Sequence, residues 1–158
     1  MRADDYESLG EGLMRRKADG TAFEGEFMRA MQDAHYVKRL RTTNTGYAGV
    51  REPADFIVVK NKFSYVELKE TAGNSFSITG MEQFDKMKEF IEVVQELRGK
   101  VTIPLKYWLV VHFLKDGCIK AISGEEALEM STTRAALRNN SPVLTFQSLE
   151  ELKGADLF

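Results

Sequence analysis

A chain of 158 residues is long enough to bury a substantial core and reads as one domain. Its single cysteine, Cys118, excludes an internal disulfide and a cysteine-based zinc cluster, and points to a reducing cytosol. The most apolar run, Tyr107 to Leu114, is too short to span a bilayer and the first residues lack a secretory signal, while the net charge of −2 argues against a uniformly basic nucleic-acid binder.

The first segment, residues 1–18, is polar and contains Arg15-Arg16-Lys17. Tyr6, Leu9 and Leu13 have helical spacing there, but Gly10 and Gly12 weaken a helix. Three readings stand: a frayed arm, a DNA-contacting tail or a dimer element, with the arm as the default. Residues 19–158 are then one domain. Within it, Thr21 to Tyr36 reads as a helix whose stripe Glu24, Phe27, Met28, Met31 and His35 recurs at 3.6 spacing. Glu26, Arg29 and Asp33 form a separate polar stripe, so Glu24 is the acid expected to face the body of the protein. His35 lies about 16 Å further along the axis at 1.5 Å per residue, which makes it structural.

Tyr36 to Thr42 fits an edge strand, and Lys38, Arg39 and Arg41 either discourage stray pairing or grip phosphates. A turn-rich loop, residues 43–49, follows. Asp55-Phe-Ile-Val-Val59 and Phe63-Ser-Tyr-Val-Glu-Leu-Lys69 are rich in β-branched and aromatic residues, and Lys60-Asn-Lys62 separates them, so the pair reads as a β-hairpin. A three-residue loop sets Val59 opposite Phe63 and, counting outward, Asp55 opposite Glu67. Strand alternation then puts Lys69 on the same face as both acids. A two-residue loop would send Asp55 to the other face.

Two carboxylates at bridging distance suit a hard divalent cation such as Mg²⁺ or Mn²⁺, which keeps several waters. A bound cation makes water more acidic and neutralises phosphate charge, and a neighbouring lysine orients the water or stabilises developing charge. The letters alone say little, since Glu151-Leu-Lys153 repeats them. That copy follows Ser148 in a capping box that opens a helix, where residues two apart do not face each other.

Basic charge gathers around these acids. Between His35 and Lys62 stand Lys38, Arg39, Arg41, Arg51, Lys60 and Lys62 against Glu52 and Asp55, whereas residues 116–158 are net acidic. The cluster reads as a DNA-phosphate surface or as an ordinary solvated face, and its coincidence with the carboxylates favours the first.

Beyond the hairpin, Ala72-Gly-Asn74 is a turn, and Thr79-Gly-Met-Glu82 is a capping box opening a helix that stops at Gly99. Phe84, Met87, Phe90, Ile91, Val94 and Leu97 form its buried stripe, with Gln83 at the edge. Gln83 either holds the attacking water or Lys69, or satisfies a backbone group. Leu105 to Leu114 reads as a central strand buried on both faces, with His112 a hydrogen-bonded core residue. Lys115-Asp-Gly117 turns it into a strand over Cys118 to Ile122. A short helix from Gly124, a late strand over Val143 to Phe146 and a helix from Ser148 complete an α/β chain with a mixed central sheet flanked by helices.

Pro53-Ala-Asp55 followed by Glu67-Leu-Lys69 resembles the bipartite signature of the PD-(D/E)XK nuclease superfamily. The extension Val66-Glu-Leu-Lys-Glu-Thr71, then Ser75-Phe76 and Gln83, is similar to the RecU family of Holliday-junction resolvases. Gly20-Thr-Ala-Phe-Glu24 resembles the run that opens that family's first helix. The likeness covers roughly Gly20 to Met87 and departs in two places. Glu82 precedes Gln83 where the family has histidine, and the segment before Asp55 is much shorter than the family's protruding stalk. The resemblance implies a restriction-endonuclease-like core and a homodimer making paired cuts in four-way DNA junctions during recombination and repair. It assigns Glu24, Asp55, Glu67, Lys69 and Gln83 to catalysis, with Asp55 and Glu67 on the metal. Cutting of duplex, flap or single-stranded DNA, and a non-catalytic DNA-binding module on the same fold, are the alternatives.

Overall fold

The computed structural model describes residues 22–40, 54–81, 84–97, 99–100, 102 and 104–158. The expected N-terminal arm, the 43–49 loop and residues Arg41, Arg51 and Gln83 lie outside them. Helix α1 (residues 22–32) buries Phe23, Phe27 and Met31. It ends earlier than the spacing predicts. Val37 and its neighbours pair as strand β1 (Tyr36–Arg39) with β2 (Phe56–Val59), and Met31 O receives the N–H of His35 at 3.0 Å.

The hairpin forms as its loop length requires. β2 pairs antiparallel with β3 (Phe63–Thr71), and Val59 stands opposite Phe63. Strand β4 (Ser75–Phe76) and helix α2 (Phe84–Leu97) then lead to β5 (Leu105–Phe113), which lies parallel to β3. A parallel neighbour needs a long crossover, and α2 occupies it. Strand β6 (Ile119–Ser123), helix α3 (Gly124–Thr132), β7 (Leu137–Arg138), β8 (Leu144–Phe146) and helix α4 (Leu149–Gly154) follow. Among the described residues the main sheet runs β1-β2-β3-β5-β6-β8, and β4 pairs with β7 as a separate ribbon.

Each face of the sheet carries its own core. Phe56, Val58, Val66, Leu68 and Val110 project to one side, where α1 and the α4 region cover them with Phe27, Met31, Leu152 and Phe158. Tyr107, Leu109, Val111 and Ile122 project to the other, packed against Met87 and Ile91 of α2 and Ala127 of α3. Two glycines have a structural reason. Gly99 adopts φ +79° just past α2, which suits a residue without Cβ and fits the expected stop. Gly124 lets α3 approach α2, since a Cβ there would stand 2.8 Å from the Ile91 side chain.

The start of α2 differs from expectation. Thr79 and Gly80 form a turn in which the Ser77 hydroxyl accepts the Gly80 N–H at 3.1 Å, and the described helix begins at Phe84. Thr79 to Met81 are therefore not helical, and Glu82, the other half of the expected capping box, lies outside the described residues. No helix among the described residues is long and apolar enough to cross a membrane.

Candidate active site

At the hairpin's open end, β2 leaves the ladder one pair short of the Asp55–Glu67 alignment. The last pair is Phe56 with Val66. The backbone of Asp55 is held from both sides: its N–H donates to Val66 O at 3.1 Å, and its carbonyl accepts from Leu40 N–H at 2.8 Å. Its carboxylate takes over as a ladder acceptor, with Oδ2 receiving the Leu68 N–H at 2.8 Å. An ionised acceptor on a backbone N–H makes a stronger bond than a neutral carbonyl would, so the Asp55 side chain is well fixed.

Glu67 and Lys69 rise from β3 on the face covered by α2, since Val66 and Leu68 occupy the opposite core. The Glu67 side chain is 3% exposed, and its Oε1 lies 3.1 Å from Lys69 Nζ. Lys69 remains 30% exposed, so its ammonium stands at the mouth of the site. Glu24 of α1 is bound by the Arg39 guanidinium of β1. Arg39 also lies over the Phe56 ring, 5.8 Å from its centroid.

The charges press on one another. Burial raises the Asp55 carboxyl to about 6, and Glu24 adds to the rise, while the Leu68 N–H, Lys69 and Arg39 oppose it. Burial raises Glu67 to about 7, with Asp55 pushing in the same direction and Lys69 opposing. Both acids are thus desolvated, close and short of positive charge, the condition that a divalent cation relieves. No three acidic, histidine or cysteine side chains among the described residues converge as a ready-made metal cluster. The donor set instead fits a cation held by two carboxylates, waters and a substrate phosphate, as Mg²⁺ commonly is.

Sequence spacing missed Tyr107. It is 3% exposed on the site's face of β5, and its phenol is pushed well above its usual range by burial and by the charges of Glu67 and Asp55. It therefore stays a neutral hydroxyl beside them. The basic residues divide. Lys38 is exposed on β1, and Arg39 is committed to Glu24. Lys60 and Lys62 lie at the hairpin's far end, where Lys60 Nζ is 3.6 Å from Asp156 Oδ1 and Lys62 Nζ donates to Asp156 O at 3.0 Å. His35 is buried at that end too, near Lys60 and Asp156. His112 packs against Phe23 with ring centroids 4.8 Å apart, and its Nδ1 lies 4.0 Å from Glu70 Oε2, an ion-pair approach without a hydrogen bond at that nitrogen among the described residues.

No protein-family model and no curated protein matches the sequence. Among solved structures, the chain is similar to Archaeoglobus fulgidus Hjc, a Holliday junction resolvase from an archaeal hyperthermophile. The superposition covers 85% of this chain and 98% of that one, with a TM-score of 0.49 and 11% sequence identity.

Proposed function

We propose that this protein is a divalent-metal-dependent endodeoxyribonuclease whose substrate is branched DNA, four-way junctions above all. One observation carries the reading: the hairpin and its exit strand bring Asp55, Glu67 and Lys69 together, with both acids desolvated and Lys69 bridged to Glu67. In this reading Asp55 and Glu67 hold Mg²⁺ or Mn²⁺. Bound there, the cation makes a water more acidic and neutralises phosphate charge. Lys69, tethered by Glu67 yet reaching solvent, orients the attacking water or meets the charge that builds on the phosphate. Glu24 fixes Arg39 at the rim, and Lys38 offers the DNA backbone a cation from the edge strand.

The choice of a junction rests on the resemblance of Val66 to Thr71, with Ser75-Phe76, to the RecU resolvases. A junction needs two symmetric cuts, and a homodimer supplies paired sites. The test is cleavage of a four-way junction and of a linear duplex of matched sequence, each with Mg²⁺ and with EDTA. Paired nicks at the crossover that vanish in EDTA are expected. Equal cutting of the duplex would retire the junction preference, and cutting that persists in EDTA would retire the metal.

A further inference from the structure

The β4–β7 ribbon has no part in the chemistry above, yet it continues the strand that carries it. Ser75 follows Lys69 by six residues, and Thr71 joins the two, its Oγ1 accepting the Gly73 N–H at 3.3 Å and contacting Ser75 O at 3.5 Å. Phe76 and Leu137 face each other across the ribbon and pack into the core on the Glu67 side of the sheet. The alternate pair, Ser75 and Arg138, must therefore face outward. Arg138 is exposed, and its guanidinium has no acidic partner among the described residues.

The turn behind Arg138 is anchored more firmly than an exposed connection needs. Arg138 N–H donates to Ser141 Oγ at 2.9 Å, and Asn139 N–H donates to Asn74 O at 3.0 Å. Asn139 Nδ2 reaches Asp116 Oδ2 at 3.0 Å. Beneath them lies Lys120, a lysine only 2% exposed, whose ammonium donates to Ser141 O at 3.0 Å and to Thr145 Oγ1. Burying an ammonium is costly unless its donors are used. Here one donor goes to the turn at Ser141 and another to Thr145 of β8, tying the turn to the main sheet.

We propose that the ribbon is a pre-organised phosphate grip, in which Arg138 holds the sugar–phosphate backbone of the DNA duplex that runs past the scissile site. The proposal rests on the nuclease reading and extends it. Arg138 pairs across the ribbon with Ser75, six residues beyond Lys69 along the chain, and Lys38 stands exposed on the edge strand β1, so each offers the backbone a cation. Phosphate contacts set register rather than sequence preference, which suits a grip built from one arginine on a rigid turn.

The test measures binding of a fluorescent four-way junction in EDTA across a salt series, for the wild type, Arg138→Ala, Arg138→Lys and Arg29→Ala. Arg29 is exposed on α1, which packs on the opposite face of the sheet. Arg138→Ala should weaken binding about five- to tenfold near 0.1 M salt and flatten the plot of log affinity against log salt by about 0.9. Arg138→Lys keeps the charge and should keep the slope, and Arg29→Ala should change neither. Unchanged melting temperatures show that folding is intact. An Arg138→Ala protein matching the wild type in affinity and slope, while the wild type binds and cuts, overturns the grip alone. A wild type that neither binds in a salt-dependent way nor cuts overturns the grip and the nuclease together.

Discussion

The tripeptide Glu-Leu-Lys occurs twice in this chain and does two different jobs. At 67–69 it lies on a strand, so Glu67 and Lys69 share a face 3.1 Å apart, and Leu68 fills the opposite core while donating its N–H to Asp55. At 151–153 it lies on α4, where Leu152 is fully buried and the two charged residues part company. Glu151 turns back to accept the Gln147 N–H at 2.7 Å, and Lys153 reaches Glu150 at 2.8 Å. The same letters give a mutually dependent trio around a buried Glu67 in one place and a solvated helix end in the other. What separates them is the period of the backbone and the presence of a third group, Asp55, across the first copy.

The widest gap between the two copies should appear in catalysis. Under the proposed metal-dependent reading, Glu67→Gln removes one of the two charges that would hold the cation, and cleavage should fall to background. Lys69→Ala should lower the rate on the order of 10³-fold, the scale of losing a charge-stabilising group at the reacting centre. Glu151→Gln and Lys153→Ala should leave the rate within about twofold, as surface changes away from a site usually do. Single-turnover rates in Mg²⁺ measure all four. Wild-type rates in Glu67→Gln and Lys69→Ala would show that the buried copy is structural, and the contrast would collapse.

A second gap concerns pH and metal. Asp55 and Glu67 hold protons in the folded chain up to about 6 and about 7. An unfolded chain releases them near 4. The metal-free fold therefore has its full contribution from this pair below about pH 4 and loses it as pH rises through 6 and 7. Mg²⁺ at about 100 times its dissociation constant adds about 2.7 kcal/mol when it binds only the folded state. That gain should be large at pH 8, where both acids are ionised, and small at pH 5, where protons compete. Thermal melts with and without Mg²⁺ at the two pH values check it. Glu67→Gln should erase most of the difference, and Glu151→Gln none of it. An equal Mg²⁺ shift at both pH values would mean that the metal sits elsewhere.

Local rules made much of this legible. A three-residue loop and strand alternation are enough to set Val59 against Phe63 and to put Glu67 and Lys69 on one face. Helical spacing separates Glu24 from Glu26 for the same reason. What escaped was non-local. Tyr107 lies within the field of the acids because β5 lies parallel to β3 with Leu109 beside Glu67, a register that no turn connects. Lys60 and Lys62 look like site residues in a charge count, yet their partner, Asp156, stands 94 residues beyond Lys62. β4 and β7 are two residues each, too short for any periodic signal, and form only because Phe76 and Leu137 share a core. The departure of Asp55 from the ladder was hidden for another reason: a side-chain oxygen replaced a main-chain one, which alternation does not anticipate.

The smallest effect tests the helical copy on its own terms. Ser148 Oγ accepts the Glu151 N–H at 3.2 Å, so Ser148 and Glu151 together hold the first turn of α4. Ser148→Ala removes that acceptor and should cost about 1 kcal/mol, lowering the melting temperature by about 2–4 °C for a chain of this size. Glu151→Ala should cost no more, since its carboxylate bonds in water. Neither change touches the hairpin, so single-turnover cleavage should match the wild type once the protein is held below its melting range. If Ser148→Ala slowed cleavage while the melting temperature stayed put, α4 would be coupled to the site through Leu152 and the core it shares with Val66 and Leu68. The separation of the two Glu-Leu-Lys copies would then be one of period alone and not of energetics.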